Sequence, residues 1–409
     1  MKNCIGLLLF LGALAITNTA SAAKVKFGYW YTEFQLAKGV ILPASFTLEK
    51  TNKSLHLTII NGEEQILLNQ IKLVGDSLFI LFQTFDAELK IKIHNKTYLT
   101  GAWFNRAKKD NYNVPFRSVF EGASRYPISH EQIKVEGKWE VTFDYKTNPE
   151  KSVGLFNYQK NSTTSNNALH GTFLTETGDY RYLTGATVGD SLFLSTFDGS
   201  HAFLFQAQFK NDTLWGEFFS GKHYKTDWYA VKNESFELTH PDSLTYVVNE
   251  EPISFELMKL DKSLYKYPNE TLKNKVVLIQ IMGTWCPNCL DESNYLRSVN
   301  ERYPNQLEIL AVTFETQKTT DEKIEKVKKY KDALNLNYTF LIGGDACKPC
   351  AADLFPQLSE IISFPTLIFI DKTGAIRKIH TGFSGPGTVD YYLNFVAETD
   401  AFIEALVKE

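Results

Sequence analysis

From residue 24 to 235 the apolar positions fall in short runs. "SLHLTII" (54–60), "SLFILF" (77–82), "ELKIKI" (88–93) and "HAFLFQAQF" (201–209) are β-branched or aromatic and are bounded by Asn, Gly, Asp or Lys. That pattern predicts strands joined by tight turns. Residues 233–254, "NESFELTHPDSLTYVVNEEPIS", read as a connection, and beyond it the period changes. The apolar run "KVVLIQIM" (275–282) predicts a buried strand. After it Leu290, Tyr295, Leu296, Val299 and Tyr303 recur at helical spacing, so that they can share one face. "LEILAVTF" (307–314) and "YTFLIGG" (338–344) predict further strands, and 320–335 and 351–362 predict helices. "TLIFID" and "AIRKIH" around "KTG" predict a hairpin, with a closing helix from "VDYYLNF" onward. Strands alternating with helices predict a mostly parallel sheet covered on both faces.

The β-rich part carries an internal repeat. "VGDSLFILFQTFDAELKIKIHNKTYLTGAWFN" (74–105) aligns with "VGDSLFLSTFDGSHAFLFQAQFKNDTLWGEFFS" (188–220), and "GYWYTEF" (28–34) aligns with "GKWEVTF" (137–143), placing Trp30 opposite Trp139. Such a period is too long for a solenoid and fits a duplicated unit. The chain is therefore expected to be multidomain, with β repeat units at 23–135 and 136–235, a linker at 236–254 and an α/β domain at 255–409. Asp198 and His201 in "FDGSHAFLF" read as turn formers rather than catalytic groups. A surface for docking a partner or a second copy is the functional expectation for this half.

The amino terminus, "MKNCIGLLLFLGALAITNTASAAKVKF", has one early Lys, an apolar core over 5–16 and the small-x-small triplet Ala20-Ser21-Ala22. Residues 1–22 are thus expected to be a signal peptide, cleaved after Ala22 or Ala23, with the product exported and periplasmic. An uncleaved membrane anchor is the alternative. Net charge is −4, which offers no basic footprint for nucleic acid. Export also changes the cysteine count: of five, Cys4 leaves with the leader, so Cys286, Cys289, Cys347 and Cys350 remain, all at C-x-x-C spacing. A large exported chain with no other cysteine is not a disulfide-stapled scaffold.

Cys286 falls at the end of a strand and the start of a helix, where unpaired N–H groups and the helix dipole favour a thiolate. A thiolate is the form that attacks a disulfide. Cys289 lies one turn later, close enough to resolve a mixed disulfide, and Pro287 suits the first helical turn because its missing N–H would be unpaired there. Trp285 can cover one side. Cys347 and Cys350 repeat this arrangement after another strand, with Lys348 beside the first sulfur to lower its pKa. The second pair stands open between three roles: a second exchange centre, a local structural disulfide, or half of a four-cysteine zinc site. The carboxylates near it are Asp345 and Asp353, and zinc would need all four sulfurs about 2.3 Å from one point. No metal is assigned.

"WCPNC" after a buried strand, "SFPT" opening a later one, and "FIDKTGAIRKIHTGFSGP" resemble the thioredoxin superfamily, in particular the exported TlpA/ResA-like thiol-disulfide oxidoreductases, over about 250–409. The resemblance implies a thioredoxin fold with an inserted helix–strand unit near 315–350. It implies that Cys286 attacks and Cys289 resolves. It implies that Pro365 is cis and that Phe364 and its loop hold a substrate segment, with Trp285 beside them. Glu292 matches the family's C-x-x-C-x-x-E acid, which tunes the thiols and shuttles protons; its plain alternative is a helix-surface carboxylate. Gln280 stands where thioredoxins proper carry a buried Asp, and a Gln cannot take up the proton. By resemblance, the chain is a reductase of protein disulfides fed by a membrane thiol donor, with no cofactor beyond the Cys286–Cys289 pair. A binding module whose cysteines are structural or metal-binding is the competing class, and a peroxiredoxin is disfavoured by W-C-x-x-C.

Overall fold

A computed structural model describes residues 25–52, 54–108, 111–122, 125–126, 133–160 and 167–409. The expected signal peptide lies outside the described residues. The β-rich part consists of two barrel-like antiparallel meanders. The first runs through Gly28–Ala37, Val40–Thr51, Ser54–Asn61, Glu64–Leu68, Gln70–Val74, Ser77–Leu81, Ala87–Ile93, Tyr98–Asn105 and Asn113–Phe120. Its first and last strands pair, Trp30 opposite Phe120, and Asn69 alone separates the two strands at the sheet's ends. The second begins at Gly137–Phe143 and ends at Tyr224–Lys232; these strands pair, and Glu150–Lys160 also pairs with Asn167–Thr175, so that the ring closes.

Two-residue alternation builds both interiors. Along Ala87–Ile93 the sequence "AELKIKI" turns its Leu and Ile inward and its Lys outward. Trp30, Phe34, Phe46, Trp103 and Phe116 fill the first core, and Trp139, Phe143, Phe173, Phe205 and Trp228 the second. The repeat is visible in detail. Each lead tryptophan donates its indole N–H to the backbone carbonyl four residues earlier, Trp30 to Lys26 and Trp139 to Val135. Both copies of "VGDS" turn through a glycine at positive φ, Gly75 at 60° and Gly189 at 56°, which a residue with a Cβ adopts only with strain.

The two units are joined to each other. Phe34 and Phe197 meet with ring centroids 4.4 Å apart. Asn61 donates to the Phe197 carbonyl at 2.9 Å and accepts from its N–H at 3.2 Å. The Trp103 indole donates to the Gly199 carbonyl at 3.0 Å. A buried indole or amide without such a partner would cost about 1–3 kcal/mol, so these bonds fix how the units meet.

The carboxy-terminal domain is thioredoxin-like, around a seven-stranded sheet in the order Leu264–Tyr267, Phe255–Lys259, Thr339–Asp345, Leu307–Glu315, Val276–Met282, Thr366–Ile370, Ile376–Thr381. Here the expectation of a mostly parallel sheet is corrected. Only the three central strands run parallel; two flanking hairpins pair antiparallel. The hairpin at 255–267 escaped the sequence reading because "FELMKLDKSLYKY" is half-exposed and carries no clean alternation. The helix expected at 351–362 instead spans Lys348–Leu354, because Pro356 has no N–H to give and disfavours helical geometry just before it. Around the sheet lie Pro287–Arg302, Thr320–Ala333, with a capping box at Thr319 and Glu322, and Asp390–Lys408. The linker packs along this domain: Val247 bridges to Leu358, and Asp242 meets His380 at 2.7 Å. No helix among the described residues is long and apolar enough to cross a membrane.

Candidate redox site

The strand Val276–Met282 is buried along its whole length and delivers the chain to Gly283-Thr284-Trp285-Cys286 at the sheet's edge. Glu315, at the end of the neighbouring strand, fastens this turn: its carboxylate accepts from the Thr284 N–H at 2.9 Å and from the Thr284 hydroxyl at 2.6 Å. Cys286 is the N-cap of the helix Pro287–Arg302 and Pro287 its first residue. The Cys286 sulfur accepts the Cys289 N–H at 3.3 Å and donates its own proton to the Phe364 carbonyl at 3.3 Å. Cys286 and Cys289 are free thiols, 7% and 0% exposed. The Phe364–Pro365 peptide is cis. Trp285 donates its indole N–H to the Phe314 carbonyl at 2.9 Å and packs edge-on to Phe364 at 5.6 Å. Trp285, Phe364 and Pro365 thus gather around one sulfur.

Behind that sulfur the site is buried, and burial favours the protonated forms of its acids. Burial, then the hydrogen bond and charge of Cys286, push the Cys289 thiol well above its ordinary value. Glu292 is fully buried, not on the helix surface, and burial lifts it to about 8 against the opposing hydrogen bond from Gln280. That bond runs from the Gln280 amide to Glu292 Oε2 at 2.8 Å, while Oε1 has no partner. Gln280 therefore positions the acid where an Asp would have supplied one. A carboxyl with a value near 8 beside a thiol is placed to exchange a proton with it.

The second pair occupies a different setting. Cys347 and Cys350 are joined in a disulfide, with Cα atoms 5.2 Å apart, and Lys348 and Pro349 at its tip are exposed. The strand Leu307–Glu315 separates the two strands that lead into the pairs, and Cys286 faces Phe364 on the far side. Both loops are nonetheless tied to Glu315, whose backbone carbonyl accepts from the Ala346 N–H at 3.0 Å. Asp345 and Asp353 are exposed, and Asp345 pairs with Lys323. Joined to each other, the sulfurs of Cys347 and Cys350 carry no thiolate for a metal shared with Cys286 and Cys289.

Sequence reasoning missed what covers the site. Asp198 does form a turn, accepting from the Ser200 and His201 N–H groups at 2.8 and 2.6 Å. That turn presents Ser200, which donates to the Trp285 carbonyl at 3.1 Å. Nearby, Arg181 donates to the Pro287 carbonyl at 3.1 Å and pairs with Asp291 and with Glu64 of the first barrel. Burial opposes the Arg181 charge, but Asp291, Glu64 and Asp198 outweigh it and hold its pKa well above the ordinary value. Asp291 is itself raised by burial to about 7. A lone Arg in "TGDYRYLTG" (177–185) gives no warning of this in the sequence.

Comparison with known proteins agrees with this geometry. Residues 248–394 match the Redoxin family. Thioredoxin-like protein YneN of Bacillus subtilis is 32% identical over 111 residues, 27% of this chain and 58% of that protein. Thiol-disulfide oxidoreductase ResA of the same organism is 26% identical over 126 residues, 31% of this chain and 63% of its own length. These matches span less than two thirds of either relative. Among solved structures, a thioredoxin-family thiol:disulfide interchange protein from Chlorobium tepidum aligns at 18% identity and a TM-score of 0.30, over 39% of this chain and 98% of that one. A thiol-disulfide oxidoreductase from Bacteroides fragilis aligns at 15% and 0.27, over 36% and 99%. The carboxy-terminal part of this chain is thus thioredoxin-like and similar to the ResA and YneN thiol-disulfide oxidoreductases.

Proposed function

We propose that the chain is an exported thiol-disulfide oxidoreductase that reduces disulfides in protein substrates through Cys286 and Cys289. The observation that carries this reading is the arrangement at Cys286: an N-cap sulfur bonded to the Cys289 N–H and the Phe364 carbonyl, with a protonated Glu292 behind the resolving thiol. The Cys286 thiolate attacks one sulfur of a substrate disulfide and the other leaves as a thiolate. Cys289 then displaces the first, so that the substrate gains two electrons and two protons and Cys286–Cys289 becomes the disulfide. The ionised form of Glu292, a minority at neutral pH while its value stands near 8, takes the proton from Cys289 in the second step. A membrane thiol donor would return the dithiol, a role resting on the family resemblance, as does reading 315–350 as an insertion. No further cofactor is required by this cycle. Dithiothreitol-driven insulin reduction tests it: the protein is expected to accelerate the reaction and Cys286→Ser to return it to background. An unchanged rate in Cys286→Ser overturns the reading.

A further inference from the structure

The dithiol is buried, Cys286 7% and Cys289 0% exposed, and part of what lies over and around it comes from the β region. Three stretches of that region reach this side of the domain. The hairpin around Thr175–Tyr182 lies on the start of the active-site helix and on the loop before Pro365: Asn288 donates to the Asp179 carbonyl at 3.3 Å, and Ser363 donates to the Thr177 carbonyl at 2.8 Å. Gly178, at φ 143°, comes so close that a Cβ there would meet the Asn288 amide. The Asp198–His201 turn lies on Trp285 through Ser200. From the first barrel, the Thr84 carbonyl accepts the Lys326 ammonium at 2.6 Å. Leu290, in the active-site helix, packs against both the domain core and the first barrel's core.

Arg181 holds these pieces together. It is 7% exposed and reaches Glu64 in the first barrel, Asp198 in the second, and both Asp291 and the Pro287 carbonyl in the helix that carries Cys289. Without Arg181, Glu64, Asp198 and Asp291 would be buried together with no cation between them, so its presence favours the assembled, covered form.

We propose that the β region is a specificity cover on Cys286, with the Thr175–Tyr182 hairpin on the face a protein substrate would use and Arg181 as the residue that positions it. This rests on the reading of Cys286 as the attacking thiol. Small disulfides reach the sulfur in the covered form, whereas a folded protein substrate reacts only after the hairpin lifts away. Opening of this kind is a local equilibrium whose free energy lies below that of global unfolding.

The test compares N-ethylmaleimide with a polymer-linked maleimide on the reduced full-length protein. Labelling at Cys286 is read by peptide mass spectrometry and each rate is divided by that of the urea-unfolded chain. The polymer reagent is expected to lag the small one by at least about tenfold in the parent, and Arg181→Gln to close most of that gap. Arg181→Gln should likewise raise insulin reduction relative to reduction of a small aromatic disulfide. Equal normalised rates for the two reagents in the parent overturn the cover without reference to any variant. If Arg181→Gln does not fold by circular dichroism, Ser200→Ala, which removes only the hydroxyl on the Trp285 carbonyl, is expected to give a smaller shift in the same direction; no shift counts against the proposal. Size-dependent labelling without exchange of any disulfide would instead overturn the proposed function and leave the cover standing.

Discussion

Replacing Glu292 by Gln gives the sharpest test of the buried acid, because it alters how stability depends on pH. The carboxyl group is fully buried and titrates near 8, against 4.5 for an ordinary glutamate. Between those values the folded chain holds a proton that the unfolded chain releases. Stability from this group is therefore complete below pH 4.5 and falls as pH rises toward 8. The slope is about 1.4 kcal/mol per pH unit, so raising the pH by about two units within that window removes about 3 kcal/mol through this group from the parent and none through it from Glu292→Gln. Asp291 and Glu315, both raised by burial, add slopes of the same sign, but these are common to parent and variant and cancel in the difference. The assay is urea unfolding read by pulse alkylation of Cys289, which is 0% exposed in the folded domain. The stability of the variant relative to the parent should climb by about 3 kcal/mol over those two pH units. A difference that stays flat would mean that Glu292 is ionised in the folded protein throughout this range, and burial would not have raised it as argued.

Two further outcomes follow from the geometry. Cys347→Ser/Cys350→Ser should leave the rate of insulin reduction within about twofold, because a whole strand, about 5 Å wide, separates the loops and Cys286 faces the other way; a large loss would establish a relay between the pairs. Phe205→Ala should lower the urea stability of the second barrel by about 3–5 kcal/mol, the usual cost of emptying a buried aromatic site, since its ring stacks on Phe173 at 4.4 Å and Phe218 at 4.3 Å. A cost below about 1 kcal/mol would mean that the barrel interior collapses onto the space.

How much of the fold was legible depended on whether a signal was local. "KVVLIQIM" announced its strand because Val276–Met282 is apolar at every position but Gln280 and buried throughout. The barrel strands declared themselves through alternation, and their kinship through two copies of one turn sequence at Gly75 and Gly189. The direction of each strand in the carboxy-terminal sheet was not a local property. Thr366–Ile370 reads like any buried strand, and its antiparallel run beside Val276–Met282 follows from where the preceding loop re-enters the sheet. The edge hairpin at 255–267 was hidden for the opposite reason, since strands that bury only Phe255 and Tyr267 leave no clean alternation.

The site divides in the same way. Trp285, Cys286 and Cys289 sit in one short motif whose chemistry depends on spacing, whereas Pro365 was legible only through the family resemblance. Glu292 was legible as a position but not as a state: its spacing from Cys289 matched the family acid, whereas its protonation comes from the strand and helices that bury it and from a single amide on Gln280. Arg181 was not legible at all. Its partners Glu64, Asp198 and Asp291 are up to 117 residues away, and no periodicity links them. What made Asp198 look like an ordinary turn former was correct, yet the turn it forms is what carries Ser200 to Trp285. A residue's local role and its place in an assembled site are thus separate properties. The second becomes readable only once the two barrels, whose cores meet at Phe34 and Phe197, have been set against the redox domain.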